Sequence, residues 1–206
     1  MTEDELIFVS NNYKKLAEVQ ELLKDLDVTV VCRNYNFKEL KDEELFLITA
    51  DKAITAYNDL EKPLIVMDTG FYVKNYPDSP WFPGTFIKTN LLDTIGIPGL
   101  LEKMKDVKDR ECCIKECLVY YDGDNFKSFE SRQNGVLSEK DYEDATTDKF
   151  SSLYGIFIPY ACNKTVSQMT KEEKRELGNI NPNVFSLFSK WYKKERNKSL
   201  VKKIPN

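Results

Sequence analysis

"FVSNNYKKLAEVQELL", residues 8–23, decides how the rest of the chain is read. Two apolar residues close a strand, Ser10-Asn11-Asn12 turn the chain, and Lys14 and Lys15 stand at the mouth of a helix. From there Leu16, Val19, Leu22, Leu23 and Leu26 recur at the three-and-four spacing of a helix over residues 13–26 that buries one face. "DVTVVC" (27–32) follows as a β-branched strand. A strand, a crossover helix and a second strand predict a sheet with parallel members. A helix start also offers free N–H groups and the positive end of its dipole to an anion, so the junction reads either as a charged turn or as a phosphate site.

Working outward, residues 42–60 read as a second helix carrying Lys52 among small apolar neighbours, ended by Pro63. "PLIVMDTGFYV" (63–73) reads as a strand broken by Asp68-Thr69-Gly70. An acid at such an apolar site is costly unless it is paired, hydrogen-bonded or metal-bound. "NYPDSPWFPG" (75–84) is a loop, residues 86–105 are helical with a break near "GIPG", and residues 110–137 form two strands joined at Asp122-Gly123-Asp124. Cys112, Cys113 and Cys117 lie in the first of those strands, where alternation sends adjacent residues to opposite faces, so they read as core thiols and not as a zinc site. Residues 138–149 are irregular. Residues 183–196 suit a terminal helix with Val184, Leu187, Phe188 and Trp191 inward, and a basic tail over 197–206 reads as frayed.

Composition narrows the chemistry. The 206 residues are 41% hydrophobic and 31% charged with a net charge of -4, a balance of globular proteins that argues against a general nucleic-acid footprint. The acidic start lacks the pattern of a secretory signal and no stretch is long enough to span a bilayer. Five cysteines without a framework fit reduced thiols, and with them a cytoplasmic setting in which the sequons at Asn163 and Asn197 are idle. With no histidine, acid–base work falls to carboxylates, lysines, tyrosines or metal-bound water.

Three motifs then join. "SNNYKKLAEV" resembles the T-x-N-x-x-K-hydrophobic-x-E signature of the inosine triphosphatase family, the pyrophosphatases that clear non-canonical purine nucleoside triphosphates, and matches it at Ser10, Asn12, Lys15 and Glu18. "MDTGFYV" resembles its D-[ST]-G-L-x-V element at Asp68, Thr69 and Gly70, and Lys52 stands upstream at the separation the family keeps. "SQMTKEEKRELG" resembles the third motif at Met169, Glu173 and Lys174, with "GIFIP" before it similar to the family's P-[IC]-F-x-P.

The resemblance, which covers about Leu6 to Phe188, implies one α/β domain over 1–206, elongated and two-lobed around a long mixed β-sheet with flanking helices, with a nucleotide cleft between the lobes and usually a homodimer. It implies hydrolysis of a nucleoside triphosphate to monophosphate and pyrophosphate. Ser10, Asn12, Lys15, Thr69 and Gly70 would hold phosphates; Asp68 and Lys52 would be catalytic. Asp68 and Glu39, with Glu43 or Glu44 as substitutes for the latter, would hold magnesium or manganese, and Phe150, Tyr154, Lys174 and Asn179 would meet the base. Oxygen ligands favour magnesium.

The chain departs from the pattern in three places. Met67 stands where the family has an acid, and Gly178-Asn179-Ile180 where it has Ser-His-Arg; Leu153-Tyr154-Gly155 replaces its aromatic-Asp-Pro. The expectation is an altered base preference. Two other readings stay open: a degenerate member that binds a nucleotide or protein without hydrolysis, and a basic tail that touches nucleic acid.

Overall fold

The structure is a computed structural model that describes residues 4–37, 40–77, 79–142, 151–160 and 162–202. Its strands are β1 (Asp4–Val9), β2 (Val28–Arg33), β3 (Leu64–Val73), β4 (Phe82–Gly84), β5 (Glu111–Tyr121), β6 (Phe126–Leu137) and β7 (Phe157–Pro159). The helices are α1 (Tyr13–Leu23), α2 (Leu45–Leu60), α3 (Gly96–Lys103), α4 (Lys171–Ile180) and α5 (Val184–Lys202). The seven strands form one mixed sheet in the order β2-β1-β3-β5-β6-β7, with β4 paired to β3. β1 runs parallel to both β2 and β3, as the strand–helix–strand order requires. β4 and β7 are antiparallel to their neighbours.

Contacts divide the chain into two compact units. The first comprises Met1–Asp68, Glu116–Glu130 and Asn183–Asn206, and the second Thr69–Lys115 and Ser131–Pro182.

In the first unit the period of two along each strand makes two cores. Leu6, Phe8, Ile65, Leu118 and Tyr120 face one way and pack with Val19 and Leu23 of α1 and Val184, Phe185, Phe188 and Tyr192 of α5. The intervening residues Ile7, Val9, Leu64, Val66, Cys117 and Val119 face the other way, onto Ala53 and Ala56 of α2. Each fully buried Leu, Ile or Phe contributes about 1.5–3 kcal/mol, so both faces are needed. α5 buries Phe185 and Tyr192 along with Val184 and Phe188, while Leu187 and Trp191 lie at the margin, and its backbone continues to Lys202. Asn183 caps α5 through Ser186 N (3.0 Å) and donates to Glu18 of α1 (2.6 Å).

β5 and β6 are joined by the expected turn, in which Asp122 Oδ1 accepts from Asp124 N (3.1 Å) and Asn125 N (2.7 Å). α1 ends at Leu23, short of Leu26, and α2 begins at Leu45, after Glu44, which makes no side-chain cap. β3 runs through Asp68-Thr69-Gly70 without a break.

In the second unit Phe71, Val73, Ile87, Leu91, Ile97, Leu100, Met104, Cys112, Ile114 and Phe157 form the core. Arg110 lies among backbone carbonyls, donating to Leu137 O (2.9 Å), Ser138 O (2.8 Å) and Met104 O. Gly70 is buried and has no room for a side chain, since a Cβ there would stand 2.5 Å from the Tyr72 ring. Among the described residues no helix is long and apolar enough to cross a membrane.

Candidate active site

The first group of site residues begins where β1 ends. Ser10 N donates to Arg33 O (3.0 Å), which ties the turn to the end of β2. Ser10 Oγ accepts from Asn12 N (3.0 Å). Asn12 is the N-cap of α1: its Oδ1 accepts from Lys14 N and Lys15 N, each at 3.1 Å. Two of the N–H groups that an anion would use are therefore engaged by the protein itself, and what the junction keeps for a phosphate is the dipole and the charges of Lys14 and Lys15. An Asn immediately before the first helical residue, here Tyr13, is an N-cap signal.

The β1–β3 register pairs Ile7 with Leu64 and Phe8 with Ile65. Carried onward, it brings Ser10 level with Met67, so Asp68 lies just past the carboxyl end of β1. That edge of a parallel α/β sheet is where ligands bind as a rule. Neighbours on a strand point to opposite faces, and the contacts show it. Met67 packs with the α1 side, where Lys15 Nζ donates to its Sδ at 3.1 Å. Asp68 turns toward α2, where Lys52 Nζ donates to its Oδ1 at 2.6 Å. The sequence thus places Lys15 on one face of β3 and the Lys52–Asp68 pair on the other, both at the same edge.

The Lys52–Asp68 pair is largely out of water, with side-chain exposures of 12% and 20%. Asp68 Oδ2 is buried and has no hydrogen-bond partner among the described residues. A buried carboxylate oxygen without a donor costs free energy that a ligand, a water or a cation would offset. The Phe37 ring lies 5.7 Å from Lys52 Nζ. Cys117, in contact with Thr49 and facing Asp68, is held as a neutral thiol because burial pushes it up to about 11. That excludes it as a nucleophile at neutral pH. Phe37 and Cys117 come from segments distant in sequence and carried no signal there.

Thr69 is half-buried beside Asp68, and Gly70 is packed under Tyr72. Tyr154, 42% exposed, lies in the short helical turn Ser151–Gly155 of the second unit. Lys174 and Asn179 are exposed on α4 of that unit, which Thr170 and Glu173 cap reciprocally. Phe150 and Glu39 lie outside the described residues, and Glu43 and Glu44 are exposed before α2.

These residues can be compared with the divalent ion that the resemblance implies. Among the described residues no group of three or more His, Cys, Asp or Glu could hold a metal. Magnesium, however, is commonly held by one or two carboxylates together with waters and substrate phosphates. The unpartnered Asp68 Oδ2 fits an ion shared with phosphate, and not an all-protein cage.

A Ham1 family model matches residues 6–179. The chain belongs to the Ham1 family. Within it, a dITP/XTP pyrophosphatase from Hyperthermus butylicus is 28% identical over 171 residues, 83% of this chain and 86% of that protein. One of the same description from Saccharolobus solfataricus is 29% identical over 167 residues, 81% of this chain and 82% of that protein. In the structure of the Staphylococcus aureus Ham1 protein the fold recurs with a TM-score of 0.75 at 20% identity, over 93% of this chain and 100% of that one. A HAM1 protein from Coxiella burnetii gives 0.75 at 18% identity over 93% and 99%. Identities that low speak for the fold alone. The Ham1 match and the relatives bear out the family resemblance read from Ser10 to Lys15, Lys52 and Asp68, and the Ham1 structures bear out the α/β fold.

Proposed function

We propose that this chain is a nucleoside triphosphate pyrophosphatase that hydrolyses its substrate to the monophosphate and pyrophosphate. One observation carries the reading: a mostly buried Lys52–Asp68 pair at the carboxyl edge of the sheet, with Asp68 Oδ2 left as a buried acceptor. Membership of a family whose relatives are described as dITP/XTP pyrophosphatases supports it.

In this reading Lys15 and Lys52 offset the charge of the triphosphate, aided by the positive end of α1. Lys52 fixes Asp68 through Oδ1, which leaves Oδ2 either to orient a water toward the α-phosphorus and take its proton or to hold the metal ion. The new bond joins the water oxygen to that phosphorus, the bridge to the β-phosphate breaks, and pyrophosphate leaves with the electron pair. Asp68, with Glu39, Glu43 or Glu44, would hold magnesium or manganese, whose bound form neutralises charge on the phosphates. Ser10, Asn12, Thr69 and Gly70 shape the phosphate end. Phe150, Tyr154, Lys174 and Asn179 meet the base. With Gly178-Asn179-Ile180 in place of Ser-His-Arg, the advantage of inosine triphosphate over ATP or GTP falls by about tenfold or more, each 1.4 kcal/mol of lost discrimination being about tenfold. The working form on this reading is a cytoplasmic homodimer.

The test is to incubate the full chain with inosine, xanthosine, adenosine, guanosine and pyrimidine triphosphates and magnesium, and to assay pyrophosphate and kcat/KM side by side. Failure to release pyrophosphate from any of them, with magnesium or manganese and across pH, overturns the reading. A second reading, binding without hydrolysis, is favoured by the thioether of Met67 on Lys15, where a carboxylate would have brought negative charge. Calorimetry separates the two: affinity indifferent to magnesium, without product, supports the second.

A further inference from the structure

The segment leaving β2 crosses the site on the α2 side. The Tyr35 hydroxyl donates to Asp59 Oδ2 near the end of α2. The Tyr35 and Phe37 rings lie 4.7 Å apart with planes tilted by 39°. Both rings are half-buried against the core that α2 covers. At the far end of this short strap the Phe37 ring is 5.7 Å from Lys52 Nζ, and Lys52 is bonded to Asp68.

Lys52 and Asp59 are two helical turns apart, so they share one face of α2 about 10 Å from each other along its axis. Tyr35 and Phe37 are two residues apart, a separation that can cover at most about 7 Å of that length. The strap is thus pinned at one end by a hydrogen bond and rests at the other over an ammonium group. An ammonium has three donors on a flexible four-carbon stem, and the carboxylate engages only one of them here. A ring face beside the ammonium attracts it and keeps water from that flank, narrowing the positions open to it.

We infer that Tyr35, Phe37 and Asp59 are positioning residues for the proposed reaction, a strap whose Phe37 ring holds the Lys52 ammonium on Asp68 and whose Tyr35–Asp59 bond holds the ring in place. The inference deepens the pyrophosphatase reading and rests on it. The strap touches no reacting atom and acts through Lys52. The same hydrogen bond raises the Tyr35 phenol above its ordinary value, so the latch keeps its proton at neutral pH.

The experiment uses the full chain and three variants, Tyr35→Phe, Phe37→Leu and Phe37→Trp, with a triphosphate that the unmodified protein hydrolyses. A misplaced catalytic group costs up to about a hundredfold, so Tyr35→Phe and Phe37→Leu should lower kcat about tenfold or more with KM changed less than about threefold. Phe37→Trp keeps a ring for the cation and should retain most of kcat. A second readout does not depend on turnover: the ring current of Phe37 shifts the Lys52 Cε protons, and Phe37→Leu should abolish that shift. Amide exchange across 34–37 should quicken in Tyr35→Phe without a fall in overall stability. Wild-type kcat in Phe37→Leu, or equal losses in the Leu and Trp variants, overturns the inference. So does an unchanged Lys52 shift or unchanged exchange. Should the unmodified protein hydrolyse no triphosphate, the pyrophosphatase reading fails by itself, and the shift and exchange still decide whether the strap holds Lys52.

Discussion

Replacing Lys52 by Met keeps a flexible stem of similar length and deletes the ammonium. Asp68 then has neither oxygen paired, since Oδ2 lacks a partner among the described residues already. Removing one member of a buried ion pair costs about 3–5 kcal/mol, most of it the penalty of the stranded charge. With side-chain exposures of 12% and 20%, the pair is screened a little, which lowers the expected loss. A figure of about 2–4 kcal/mol follows, or roughly 4–16 °C in Tm for a chain of this size. Asp68→Asn removes the charge that Lys52→Met strands, so the double variant should be more stable than the sum of the two losses requires, with a coupling of about 1–3 kcal/mol. The two tryptophans fall in different units, Trp191 in the first and Trp81 in the second. Urea unfolding followed by fluorescence in a Trp81→Phe background therefore reports on the unit that holds the pair. Additive losses, or a Lys52→Met variant within about 0.5 kcal/mol of the parent, would refute the reasoning, because a stranded buried charge cannot be that cheap.

Asp68→Asn should lower turnover by more than about a hundredfold while the circular dichroism spectrum stays that of the parent, since the amide can neither take a proton nor bring charge to a cation; near-parental kcat removes Asp68 from the chemistry. Asn12→Ala deletes the acceptor for Lys14 N and Lys15 N and should cost about 1 kcal/mol in urea unfolding, an unchanged midpoint counting against its capping role. The hydrogen bond from Lys74, then that from Tyr160, holds the Glu111 carboxyl below its ordinary 4.5, so its stabilisation is complete above that pH and is lost as pH falls through the folded value. The same contact pushes Tyr160 from 10 up to about 12, so its share is complete below pH 10 and disappears toward 12. Urea midpoints against pH should show both limbs, and Lys74→Met should flatten the acid one.

Local patterns gave up their information where the interaction is local. The three-and-four spacing in α1 and the β-branched run of β2 named a parallel pair, because each element buries one face and leaves a period behind. The Asp68 position shows where pattern reading stops. Its polarity read as a break in a strand, yet β3 is continuous, because the cost of the buried acid is met by Lys52, which reaches it from another element. The joint register of Lys52 and Asp68 was visible; that Lys15 lies across the sheet from them was visible only once Met67 and Asp68 were placed on alternate faces. Phe37 and Cys117 meet the site through chain reversal, and no periodicity along the chain encodes such a meeting. The helix ends differ for a simpler reason: Leu26 N reaches back only to Leu23 O (2.9 Å) in a tight turn past α1, and Glu44 opens α2 through its backbone carbonyl while its side chain caps nothing, so residues that suit a helix by composition lie outside both.

The first unit is assembled from three stretches far apart in the chain, and the last of them closes its core: Phe185 meets Phe8 edge-on at 5.7 Å, and Val184 and Phe188 join the same cluster. During synthesis the ribosome delivers the turn at Ser10, Lys15, Lys52 and Asp68 long before it delivers these side chains. Until residues 184–192 emerge, β1 and α1 leave their shared apolar surface uncovered, and the helix that carries Lys15 has nothing to rest on along that side. Maturation of the half that holds the Lys52–Asp68 pair therefore waits on residues 184–192 and not on the order in which its own site residues are made.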